Sequence, residues 1–265
     1  MRIKNFSLKH TLECGQLFRY EKKDGYYFLV VKDKIIKLKQ KGNILLFEGA
    51  SRKFIRHYFA LDEDYEKIIE ELKKDKFVAE AIKKYYGLRI CRQDPWECLI
   101  SYICSSASNI PKIRKNINNL AKNFGKKIKL GSYISYSFPL KNEIKSLCKI
   151  KSCGCGFRSN YIFETARIVD EKWLKKLKKL SYEKAKKELM KLPGVGEKIA
   201  DCVLLFSLGF REAFPVDVWI KRVMEELYFN GRKTSEKKIR EFAMKKFGNN
   251  AGYAQQFLYH YRRNK

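Results

Sequence analysis

The sequence predicts an α+β protein, with an N-terminal antiparallel twisted β-sheet domain followed by a mainly α-helical region. Two observations carry this. β-rich runs crowd the first 50 residues, and from about residue 62 the apolar spacing becomes helical and stays so. Strands gathered first and helices after them point to α+β rather than α/β architecture.

The strands are YYFLVV (26–31), KIIKLK (34–39) and ILLFE (44–48). Apolar residues interleaved with lysine in the second suit a strand with one packed and one wet face. Asp24-Gly25 and Lys41-Gly42-Asn43 supply turns, so the runs form a meander. Asp94-Pro95-Trp96-Glu97 then combines an N-cap, a proline at the first helical position and a glutamate at the third, as in a capping box. The helix it opens, WECLISYIC, runs into a polar turn at 105–111, because Pro111 disfavours helix at Ile110. A helix through IRKNINNLAKNF ends at Gly125, and Ser181 is placed to cap YEKAKKELMKL, which stops at Pro193-Gly194. The expected division is a sheet domain with trailing helices at 1–90 and a helical part at 91–265, with paired hairpin helices at about 183–208.

Lysine and arginine number 58 against 29 acids, a formal net charge of +29. Such an excess repels itself in a compact fold unless a polyanion is the usual partner, which favours nucleic acid over an anionic membrane surface. No apolar run reaches the length of a membrane span and none near the N-terminus resembles a signal peptide, so a soluble, cytoplasmic monomer is expected. The eight cysteines suit no disulfide framework in that compartment and read as small buried apolar side chains.

LPGVGEK (192–198) lies between two helical patterns. Two glycines in so tight a turn let the backbone approach a partner closely. The N–H groups opening the next helix then point outward, which makes a phosphate site without side chains. Leu192, Gly194, Val195 and Gly196 are therefore candidate contacts to a nucleic-acid backbone. Lys198 shares a helix face with Cys202. It is either a point charge for phosphate or, as a free amine, a nucleophile that forms a Schiff base with an aldehydic carbon. Asp217 follows after 19 residues, in P-V-D-V-W, where an N-cap would stand.

Hairpin, lysine, then P-V-D: this order resembles the helix-hairpin-helix DNA glycosylases, named for the hairpin, the Gly/Pro-rich loop and the catalytic Asp. The resemblance implies that Lys198 is the nucleophile, Asp217 the essential carboxylate, and the enzyme a bifunctional glycosylase and abasic-site lyase. ECGQLFRY (13–20), QDPWECLISYICSS (93–106), GFRSNYI (156–162) and FGNNAGYAQQFLY (247–259) are further similar to the eukaryotic-type 8-oxoguanine glycosylases. The implied partner is double-stranded DNA containing 8-oxoguanine. Other branches carry a four-cysteine iron–sulfur cluster C-terminal to the Asp. No cysteine follows Cys202, so no cluster, and no other cofactor, is expected.

Carried over residue by residue, the resemblance gives a pocket. The Gly15 carbonyl would accept from the N7–H that 8-oxoguanine has and guanine lacks. Gln255 would read the Watson–Crick edge, and Cys202 and Tyr259 would sandwich the flipped ring. Asn109 keeps the last place of the family's asparagine run, Arg158 keeps one of two arginines facing the orphaned cytosine, and Phe157 beside it joins the DNA contacts. Lys112 stands where the other arginine is found; lacking a bidentate fork, it implies weaker discrimination of the opposite base. Trp219 replaces a histidine that faces phosphate, and Tyr259 a phenylalanine. The carbonyls of Met190, Leu192 and Val195 are implied ligands of a structural, non-catalytic cation. Two alternatives stay open at this level: a glycosylase of the same fold for another damaged purine, and a non-catalytic helix-hairpin-helix DNA-binding protein.

Overall fold

A computed structural model describes residues 1–264. A short helix α1 (Leu8–Glu13) precedes four strands, β1 (Tyr20–Lys23), β2 (Tyr26–Val31), β3 (Lys34–Lys41) and β4 (Ile44–Glu48), paired antiparallel in sequential order. Each connection holds two residues, since Lys23 pairs with Tyr26, Val31 with Lys34 and Lys41 with Ile44. Asp24 and Gly25 both take positive φ (51° and 73°), the geometry that matches the twist of such a hairpin. The expected meander is present with β1 as an additional edge strand.

The chain then runs through α2 (Arg52–Tyr58), α3 (Tyr65–Leu72), α4 (Lys76–Tyr85), α5 (Pro95–Ile103) and α6 (Ile110–Phe124). A small hairpin, β5 (Lys127–Leu130) and β6 (Tyr133–Tyr136), follows. After it come α7 (Leu147–Ser152), α8 (Arg158–Ile168), α9 (Glu171–Leu177), α10 (Tyr182–Leu189) and α11 (Glu197–Val203). A π-helical turn (Leu204–Leu208) extends α11; α12 (Val218–Tyr228), α13 (Glu236–Phe247) and α14 (Ala251–Arg263) complete the fold. Among the described residues no helix is long and apolar enough to cross a membrane.

Two cores result. The sheet buries Leu29, Ile36, Leu38 and Leu45 against Leu12, Ile55 and Phe59. The larger core gathers the helices, and α3 and α4 belong to it through Ile69 and Ile82, together with Leu99, Ile117, Phe214 and Phe257. Seven of the eight cysteines are buried, Cys148 being the exposed one.

Asp94 caps α5 as expected, accepting from the Glu97 N–H at 3.0 Å. Glu97 does not close a capping box. Its carboxylate accepts instead from the Lys32 N–H at 3.0 Å and from Arg19 at 3.3 Å, bracing the β2–β3 turn against α5. Ser181 occupies the cap position of α10 without a side-chain bond, and that helix ends at Leu189, earlier than its apolar pattern. Ile110 is helical despite the proline after it. It is the first residue of α6, where the N–H that Pro111 lacks would have had no helical partner.

Candidate active site

Gly194 turns the α10–α11 connection with φ of 73°, and a Cβ there would sit 2.3 Å from the Tyr161 ring. Only glycine fits. Gly196 starts α11 without any side-chain cap, which leaves the first N–H groups of that helix open. Two residues on, Lys198 points to the end of α5. Its Nζ lies 3.0 Å from Ser105 Oγ and 5.5 Å from the Tyr102 ring centroid. Ser105 donates its own proton to the Tyr102 carbonyl at 2.6 Å, so its oxygen is held ready as an acceptor for the lysine. Tyr102 is fixed in turn by stacking on Phe206 of the π-helical turn, ring centroids 5.6 Å apart.

Asp217 is the N-cap of α12, with Oδ1 accepting from the Ile220 N–H at 2.8 Å. Its plainest reading from sequence is thus correct. The same residue also lines a cavity of about 360 Å³ shared with Lys198, Cys202, Gln255, Tyr259 and Gly15. Burial pushes the Cys202 thiol up to about 12, against the pull of Lys198, and pushes the Tyr259 phenol up to about 12 as well. Both therefore present neutral walls. Gln255 is 5% exposed, and its Oε1 has no hydrogen-bond partner among the described residues. Ser108 Oγ in the same wall is likewise unpartnered. Buried acceptors left open in this way await a donor from a ligand.

The backbone at Gly15 is clamped from both sides. Gln256 Nε2 donates to the Cys14 carbonyl at 2.7 Å, and Gln93 Nε2 to the Gln16 carbonyl at 2.8 Å. The Gln16 side chain is itself sewn to the Arg89 carbonyl and the Cys91 N–H, each at 2.8 Å. Gly15 holds φ of 89° between these clamps, close to the Tyr259 ring.

Comparison with known proteins agrees in both halves. Residues 1–99 match the 8-oxoguanine DNA glycosylase N-terminal domain, and residues 100–249 match the HhH-GPD superfamily of base excision DNA repair proteins. The chain belongs to the HhH-GPD superfamily. Among its relatives is the N-glycosylase/DNA lyase of Saccharomyces cerevisiae, 32% identical over 95% of this chain and 82% of that protein. MBOgg1, solved with a low-affinity DNA ligand, superposes with a TM-score of 0.94 at 40% identity, covering 99% of this chain and 94% of its own. The 8-oxoguanine glycosylase/lyase of Clostridium acetobutylicum, solved with double-stranded DNA containing cytosine opposite 8-oxoguanine, gives 0.94 at 35% identity, covering 98% and 93%.

Around the mouth of the HhH-GPD cavity the remaining expected residues divide. Asn109 is exposed and caps α6, accepting from the Lys112 N–H at 3.0 Å, and Lys112 is exposed beside it. Phe157 is 55% exposed and meets Tyr161 edge-on at 5.9 Å; Tyr161 packs under Gly194, so Phe157 and the hairpin form one continuous surface. Arg158 points the other way. It is 3% exposed, and its guanidinium donates to the carbonyls of Ser106, Ala107 and Cys155 at 2.6, 2.8 and 3.2 Å. In this HhH-GPD protein Arg158 thus fixes the loop between α5 and α6 rather than facing outward, and Ala107 takes a positive φ of 44° in that loop. Trp219 stands at the rim, 48% exposed. Ser105, Gln16 and Gln256 were not singled out from the sequence. Their one signal was position: Gln16 and Gln256 each lie beside a residue that was, and Ser105 falls within the QDPWECLISYICSS string.

Proposed function

We propose that this chain excises 8-oxoguanine from duplex DNA and then cleaves the abasic strand, with Lys198 as nucleophile. One observation carries the reading. Lys198, Asp217, Gly15, Cys202, Gln255 and Tyr259 line a single cavity, although they come from α1's end, α11, the start of α12 and α14. The extruded base enters between the neutral Cys202 thiol and the Tyr259 ring. The Gly15 carbonyl accepts from N7–H; facing guanine it would meet a lone pair, and a buried unpaired acceptor costs ~1–3 kcal/mol. The open Gln255 Oε1 takes a donor from the Watson–Crick edge.

Lys198, positioned by Ser105, attacks C1′ as the glycosidic bond breaks. The Asp217 carboxylate, at the N-terminus of α12, stabilises the oxocarbenium-like sugar. The imine that results acidifies a 2′ proton, and the strand 3′ to the lesion leaves by β-elimination. Leu192, Gly194, Val195 and Gly196 approach the phosphate backbone, while Asn109, Lys112 and Phe157 face the bent duplex and Arg158 holds their loop. The hairpin also offers the carbonyls of Met190, Leu192 and Val195 to a structural cation, with one Leu192 lone pair already engaged by the Val195 N–H.

The test is borohydride trapping on a duplex with 8-oxoguanine opposite cytosine. A covalent adduct is expected with the native chain and none with Lys198→Gln. Tight binding without adduct or excision would overturn the reading in favour of another lesion or a binding role.

A further inference from the structure

The base cavity has a cationic wall. Arg263, in the last turn of α14, lines it together with Gly15 and Tyr259. Its guanidinium carbon is 5.4 Å from the Tyr259 ring centroid, and its charge pulls the Tyr259 phenol down against the effect of burial. Its Nη1 is 2.8 Å from the place a Cβ on Gly15 would occupy. The neighbouring Arg262 pairs with Glu226 at 2.9 Å, whereas no carboxylate pairs with Arg263 among the described residues. Among the described residues, an exposed guanidinium with no carboxylate partner thus stands at the cavity edge beside Gly15 and Tyr259.

We propose that Arg263 is the electrostatic partner of the leaving base. The inference rests on the reading of Gly15 as the N7–H acceptor, which places a carbonyl oxygen of 8-oxoguanine beside the guanidinium. As Lys198 Nζ bonds to C1′, the electron pair of the C1′–N9 bond passes to N9, and the departing base is an anion delocalised onto its carbonyl oxygens. Arg263 donates to that oxygen and holds the growing charge. The proton released by the new C1′-bound ammonium neutralises the base afterwards. A guanidinium stays charged at any working pH and donates in its plane, which suits it to an oxyanion-like charge inside a cavity sealed by DNA.

An abasic site has no base to stabilise, and this separates the role from a plain phosphate contact, which would serve both substrates alike. Single-turnover rates are to be compared for native protein, Arg263→Gln and Arg263→Lys. One duplex carries 8-oxoguanine and the other a preformed abasic site, both opposite cytosine. Arg263→Gln is expected to slow excision by about 10- to 100-fold, the worth of one hydrogen bond to a charged group, with Arg263→Lys between. Strand cleavage at the abasic site should change by less than about threefold, a step in which no leaving base takes part. Equal slowing on both duplexes, or none on either, would overturn the proposal. Failure of the native protein to excise 8-oxoguanine at all would instead strike the proposed function, so the two failures are distinguishable.

Discussion

Oδ1 of Asp217 caps α12 while the residue lines the cavity, and substitution can pull the two tasks apart. Asn keeps an acceptor for the Ile220 N–H and is as good an N-cap as Asp. Asp217→Asn should therefore melt like the native protein yet lose about 100-fold or more in excision, the scale of removing one preorganised electrostatic stabiliser. Asp217→Ala should lose both, with a further ~0.5–2 kcal/mol of stability measured by urea unfolding. Lys112 makes a second case. It is exposed at the start of α6, and Lys112→Arg would supply the missing planar fork. Excision opposite cytosine relative to the other three bases should rise, and an unchanged ratio would show that Lys112 does not face the orphaned base. Residue type alone left Lys198 open between a phosphate contact and a nucleophile and Asp217 as an ordinary N-cap; only the order of hairpin, lysine and P-V-D, read as a family resemblance, singled them out. Arg158 was legible as important but not in its orientation, since sequence does not reveal that three loop carbonyls already claim its guanidinium.

At the scale of elements, α10, α11 and α13 are joined by a buried polar network one turn behind the lysine. Asp201 accepts from Tyr182 at 2.6 Å and from Lys186 at 3.1 Å, with Arg240 at 3.9 Å. Burial raises the Asp201 carboxyl to about 6, against the pull of Lys186. The folded state thus takes up a proton, between about pH 6 and 4, that the unfolded chain takes up only at lower pH, and this group adds stability as pH falls through that window. The unfolding free energy of the native protein, taken minus that of Asp201→Asn, should rise from pH 7 to pH 5; a fall in that difference on acidification would contradict this. The hairpin itself was readable because Pro193, Gly194 and Gly196 punctuate it. By contrast α1, β1, β5 and β6 were missed, being six or four residues long, too short for a period to register. Glu97 was placed in the right turn and given the wrong bond. Its partners, Arg19 and the Lys32 N–H, arrive from a strand region more than 60 residues earlier, which no local rule can see.

For the whole molecule, a net charge of +29 makes DNA affinity a matter of released counterions. Neutralising about six phosphates gives a slope near −5 in log K against log salt. A measured slope near −1 would mean that most lysines face away from the duplex. Hydrogen bonds link the sheet to the helices: Glu97 and Arg19 tie the β2–β3 turn to α5, while the Gly15 segment is stitched to Gln256 of α14. Gly15 and Gly194 carry a consequence that reaches the gene. Every glycine codon begins with two guanines, and an adenine inserted opposite 8-oxoguanine in either place converts the codon to one for cysteine, tryptophan or valine, or to a stop. Each of those amino acids would drive a Cβ into Tyr259 and Arg263 at position 15, or into Tyr161 at position 194. In a cell whose repair of 8-oxoguanine fails, an unrepaired lesion at either codon would therefore damage the very protein that should have removed it.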